Sequence, residues 1–144
     1  MPKVDFYLIN ESSYETSFGF VCRLLDKAYQ QKNYVYVQVN NEDEAKTLDD
    51  LLWTFRDDAF IPHHLATQTS TIKPFIIIGF GQEPTKPHDI LLNLTKDILP
   101  FYNKFKRVIE IVPNENKSKE ICRKKFRQYK TDNCELTTHD LTKS

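Results

Sequence analysis

The chain has 144 residues, 40% of them hydrophobic, which is enough for one compact globular domain and too few for two ordinary ones. Charged residues make up 28% and cancel to a formal net charge of zero, excluding a general attraction for nucleic acid or anionic membrane. No stretch approaches the ~18 apolar residues of a membrane span, and the start, Met1-Pro2-Lys3-Val4-Asp5, has no basic segment leading into an apolar one, so a cytoplasmic protein is expected.

In chain order, Val4 to Ile9 is a β-rich run ended by Asn10 and Glu11 and predicts a first strand. Ser12 and Glu15 have the spacing of a capping box, and Phe18, Val21, Cys22, Leu25 and Tyr29 follow at helical intervals up to Lys32-Asn33. Tyr34 to Val39 is almost continuously apolar or aromatic, as in a strand covered on both faces. Asn41 and Glu44 repeat the capping-box spacing ahead of a second helical stripe, Ala45, Leu48, Leu52 and Phe55. Phe75 to Phe80 and Asp89 to Leu94 predict two more strands, and Pro100 to Lys106 a short helix or turn. Arg107 to Val112 ends at Pro113 as a strand does, and a polar but helix-prone segment runs from Asn114 or Glu115 to about Lys130, with Asn114 as candidate cap. A polar tail is expected from about residue 131. Strands alternating with helices over crossovers of a dozen or more residues imply one α/β domain over residues 1–144, with a mainly parallel sheet flanked by helices in a Rossmann-like topology.

Such a topology often holds a nucleotide, but the three glycines, Gly19, Gly79 and Gly81, cannot form G-x-G-x-x-G or a Walker A loop, and no cofactor is expected. Cys22, Cys122 and Cys134 never form Cys-x-x-Cys, which argues against a disulfide framework and a zinc site. His63-His64 next to Pro62 lacks the spacing of a helical metal pair, and no signature sets a thiol beside an imidazole. The residues therefore point to neither a metal nor a catalytic centre.

Two stretches carry more information. Leu48 to Trp53 continues to Ala59-Phe60-Ile61-Pro62-His63-His64-Leu65, where Pro62 rules out regular helix and pushes Ile61 toward an extended conformation. Trp53 and Phe60 either tuck under the sheet or form an exposed patch for a protein partner. The second stretch, 115–130, carries Lys117, Lys119, Arg123, Lys124, Lys125, Arg127 and Lys130 against Glu115 and Glu120, a local excess of five positive charges. On a helix Lys119, Arg123, Arg127 and Lys130 share one stripe, Ile121, Cys122 and Tyr129 the neighbouring one that faces the sheet, and Phe126 borders both. A basic stripe edged by an aromatic suits a ligand with carboxylates and one apolar anchor. A solvated helix face, or a module that binds single-stranded DNA directly, are the competing readings. The second ranks lower because aromatic platforms for stacking bases are sparse beside the stripe.

Leu48-Asp49-Asp50 through Trp53, followed by Phe60-Ile61-Pro62-His63-His64-Leu65, resembles the most recognisable stretch of the chi subunit family of the bacterial DNA polymerase III holoenzyme. Phe6-Tyr7-Leu8, Asp89-Ile90-Leu91 and the Val112-Pro113 junction into a basic last helix fall in the same order, so the resemblance covers about residues 3–136. It implies a non-catalytic adaptor of the replicase. Trp53, Phe60, Ile61 and Pro62 would then face the psi subunit of the clamp-loader complex. Lys119, Arg123 and Arg127 would hold the carboxylates of the acidic, Phe-terminated tail of single-stranded DNA-binding protein, with Phe126 and Val112 walling the pocket for its last aromatic. The chain has Phe126 where a tyrosine is familiar and Arg127 where a lysine is, so the tyrosine hydroxyl has no counterpart.

Overall fold

The computed structural model describes residues 2–12, 16–54, 63–65, 75–81, 83–84 and 89–142. Its strands are β1 (Lys3–Leu8), β2 (Val35–Val39), β3 (His63–Leu65), β4 (Ile76–Phe80), β5 (Ile90–Asn93), β6 (Arg107–Val112) and β7 (Glu135–Asp140). They form one sheet in the order β3-β4-β2-β5-β6-β1-β7, and every pairing is parallel. The helices among the described residues are α1 (Phe18–Gln30), α2 (Glu42–Thr54) and α3 (Asn116–Thr131), with a single 3-10 turn at Tyr102–Lys104.

The strand alternation divides the apolar residues into two layers. Val35, Val37 and Val39 of β2, Ile76 and Ile78 of β4 and Ile109 and Ile111 of β6 pack against Val21, Cys22 and Leu25 of α1 and Ala45, Leu48 and Leu52 of α2. The intervening residues, Val4 and Phe6 of β1, Tyr36, Leu91, Val108 and Val112, face Tyr129 of α3 and the Leu99–Phe105 loop. A parallel sheet buried on both faces needs such continuous apolar strands, which is why Tyr34 to Val39 carried no alternation.

Helix starts differ from the sequence in instructive ways. Asn41 caps α2 as expected, its Oδ1 accepting from the Glu44 N–H at 2.9 Å, but the Glu44 carboxylate reaches the N–H of Asn40 at 2.8 Å. The Ser12 and Glu15 pair does not start α1: the helix begins at Phe18 behind Ser17, and residues 13–15 lie outside the described residues. Glu115, not Asn114, caps α3, accepting from the N–H of Lys117 at 3.2 Å and the hydroxyl of Ser118 at 3.1 Å. Two elements were absent from the sequence reading: the three-residue β3 and the edge strand β7, which occupies the segment read as polar tail. Phe55 falls outside the described residues.

Candidate functional site: the outer face of the last helix

The site is built on α3, which lies over β6 and β1. Its inner face carries Ser118, Lys125 and Tyr129, all buried. Lys125 corrects the sequence reading, since it is not part of a basic surface: it is 5% exposed and its Nζ donates to Glu110 Oε1 at 2.8 Å and to the Thr95 carbonyl at 2.6 Å. The Tyr129 hydroxyl donates to the other Glu110 oxygen at 2.6 Å, and Asn93 Nδ2 donates to it at 3.0 Å. The Glu110 carboxylate, from the middle of β6, thus accepts three hydrogen bonds in a dry interior, where an unpaired charge could not remain. Burial, and then the neighbouring Glu110 charge, push the Tyr129 phenol well above its ordinary pKa. The same two causes push the Cys122 thiol up to about 11. This network sets the rotation of α3 on the sheet.

With that rotation fixed, Lys117, Lys119, Arg123, Lys124, Arg127 and Lys130 are exposed, against exposed Glu115 and Glu120. Lys119, Arg123 and Arg127 form no ion pair among the described residues, in contrast to Lys125. Phe126 is half-buried, its ring 5.6 Å from that of Phe6 on β1, so one edge is anchored while the rest borders the basic stripe. Val112 is buried at the end of β6 and lines, with Phe6, Ser118, Ile121, Cys122 and Lys125, a crevice under the first half of α3 that has no room for a water molecule. The structure therefore brings Lys119, Arg123, Phe126 and Arg127 onto one side of α3. Val112 is in the apolar layer beneath, and Phe126 does not line the crevice.

Trp53 sits in the last turn of α2, on the opposite face of the sheet, and is 51% exposed. Phe60, Ile61 and Pro62 lie outside the described residues, and the following His63–Leu65 joins the sheet edge beside β4. Among the described residues no group of three His, Cys, Asp or Glu side chains could hold a metal, and no helix is long and apolar enough to cross a membrane.

The sequence profile of the family described as DNA polymerase III chi subunit, HolC, matches residues 1–137. The chain belongs to the chi family. The DNA polymerase III subunit chi of Pseudomonas aeruginosa is 36% identical over 141 residues, covering 98% of both chains. Those of Haemophilus influenzae and Escherichia coli are 27% and 24% identical, covering 95% and 96% of this chain and 96% and 97% of their own. As a chi subunit, the protein is an accessory subunit of the replicase. Among solved structures, T4 UvsW superimposes with a TM-score of 0.70, covering 96% of this chain and 41% of that one. The second domain of the DEAD-box helicase Mss116p, solved on an RNA duplex, gives 0.64, covering 97% and 64%. Both are 10% identical, so the likeness is one of fold alone.

Sequence reasoning missed the Glu110, Lys125 and Tyr129 network. Its signal was present: a carboxylate inside the apolar run Arg107 to Val112, and a lysine three residues after Cys122 and four before Tyr129, on the stripe assigned to the core.

Proposed function

We propose that this chi subunit is a non-catalytic, cytoplasmic adaptor that joins the clamp-loader complex, through psi, to the acidic C-terminal tail of single-stranded DNA-binding protein. The observation that carries this reading is the separation on α3 between one buried, paired lysine and a row of exposed cations, Lys119, Arg123 and Arg127, bordered by the half-exposed ring of Phe126. The cations suit carboxylates and the ring suits a terminal aromatic. Because the crevice beside Val112 is closed to water, the aromatic would either open it or pack on the outer side of Phe126. Solvated charge pairs contribute about 0.2–1 kcal/mol each and a partly buried aromatic about 1–2, so the affinity is modest and falls with salt.

The psi surface would centre on exposed Trp53, with Phe60, Ile61 and Pro62 beside it in sequence. α2 packs on β4 and α3 on β6, on opposite faces and three strand positions apart, so the two sites lie roughly 15 Å apart across the sheet plus its thickness and do not compete for space. Two modest contacts on one small body reinforce each other through effective concentration.

The test is a calorimetric titration of the purified chain with a peptide ending Asp-Ile-Pro-Phe, at low and high salt, beside Arg123→Ala, Phe126→Ala and a scrambled peptide. Saturable binding that weakens with salt and is lost in both variants supports the adaptor. A chain that ignores the peptide and binds single-stranded DNA through the same residues assigns the stripe to nucleic acid instead.

A further inference from the structure

The sheet ends on β7, and among the described residues nothing pairs with its outer side. Its register with β1 is uninterrupted from Lys3 opposite Glu135 to Leu8 opposite Asp140, and the Leu141 N–H donates to the Leu8 carbonyl at 2.8 Å. In a parallel ladder a residue turns both backbone groups to the same side, and the side alternates along the strand. Residues in step with Leu141 face β1, so Leu136 and Thr138 present their N–H and C=O to the open edge. Edge strands are usually blocked by a bulge, a proline or charged side chains, and in Glu135-Leu136-Thr137-Thr138-His139-Asp140 there is no bulge or proline and the acids stand only at the two ends.

What flanks this edge selects a partner. Lys125 of α3 points to Glu110 on β6, and Phe126, about 100° further round the helix, lies over Phe6 on β1. Lys119 and Lys130 continue the rotation by about 20–40° and so lean to the side of the sheet where β7 lies, whereas Arg123, about 160° from Lys125, faces away from the sheet. Leu136 and Thr138 turn their side chains to this same face, because they pair with Val4 and Phe6. On the other face His139 and Arg107 converge on Asp5, at 2.9 and 2.6 Å. The strand's own acids, Glu135 and Asp140, stand at its two ends. A second copy paired edge to edge would set two basic stripes side by side, which disfavours self-association.

We propose that β7 accepts an extended acidic peptide as an eighth strand, hydrogen-bonded to the backbone of Leu136 and Thr138, with its carboxylates toward Lys119 and Lys130. The proposal rests on the reading of α3 as an acidic-tail site and specifies how the backbone of that tail is held.

Thr138→Pro removes one outward N–H without touching the ladder to β1, and Thr138→Ala keeps it. Titrated with an oligo-aspartate peptide ending Ile-Pro-Phe, the proline variant is expected to bind about fivefold more weakly, the loss of one net main-chain hydrogen bond, and the alanine variant like the parent. In the unmodified chain, amide exchange read by NMR should slow at Leu136 and Thr138 when peptide is added, a readout that stands even if the proline variant folds poorly. Unchanged exchange at both amides, with Thr138→Pro binding normally while Arg123→Ala abolishes binding, would overturn strand addition and leave the tail on α3 alone. No binding to the unmodified chain would remove the α3 reading and strand addition with it.

Discussion

Replacing Lys125 by methionine keeps most of the apolar stem and removes the charged amino group. The Glu110 carboxylate, 2% exposed, then keeps the Tyr129 hydroxyl and Asn93 amide but loses its counter-charge in the interior. Removing one partner of a buried ion pair typically costs ~3–5 kcal/mol, because the other charge stays buried and uncompensated. With an unfolding entropy of about 0.3 kcal/mol/K for a chain of this size, the melting temperature should fall by roughly 10–17 °C. Urea unfolding followed by far-UV circular dichroism measures the loss, and an unchanged slope shows that the denatured state is not the cause. Adding Glu110→Gln removes the stranded charge while keeping an acceptor for Tyr129 and Asn93, so the double variant should recover to within about 1 kcal/mol of the parent, a gain of ~2–4 kcal/mol over Lys125→Met alone. A loss under 1 kcal/mol for Lys125→Met, additive with Glu110→Gln, would refute the claim that this pair is desolvated and fixes the seating of α3.

The Asp5 carboxyl would be raised by its burial, but hydrogen bonds from His139 and Arg107 outweigh this and hold it below its ordinary value. The stability it contributes is complete above the unfolded value of 3.8 and disappears as pH falls through the lower folded value, so melting temperatures of the parent should drop below about pH 4, and Asp5→Asn should flatten that limb. Burial pushes the Cys22 thiol up to about 12, leaving on the order of one thiolate in ten thousand at pH 8, so iodoacetamide should label Cys22 only after urea unfolding, as peptide mass mapping will show. Gly79→Ala would place a methyl 1.9 Å from the Tyr36 hydroxyl oxygen and 2.5 Å from its ring carbon, both in the core, and should cost about 1–3 kcal/mol in urea unfolding. Adding Tyr36→Phe should recover only part of this, since the ring carbon remains.

The α/β order was legible because buried parallel strands must be apolar throughout, and runs such as Phe75 to Phe80 and Arg107 to Val112 announce themselves. What failed was structure fixed by distant partners. β7 is polar because an edge strand has few neighbours to pack against, and only its register with Lys3 to Leu8 identifies it. β3 is three residues long and exists through Ile76 to Ile78. On α3 the exposed stripe followed from helical spacing, whereas Lys125 was counted by charge and not by position. Its burial depends on Glu110, fifteen residues earlier on another element. The contrast between Lys125 and Arg123, two basic residues two positions apart, shows why charge counts alone do not locate a binding surface.

The adaptor claim is tested most directly by asking whether the chain bridges its two partners. Single-stranded DNA coated with single-stranded DNA-binding protein is immobilised, and surface plasmon resonance follows the arrival of psi with and without the chain. The account predicts that psi is retained only when the chain is present, and that Arg123→Ala removes this retention while leaving psi binding in solution intact. Retention that is unchanged by Arg123→Ala, or equal on uncoated DNA, would contradict it.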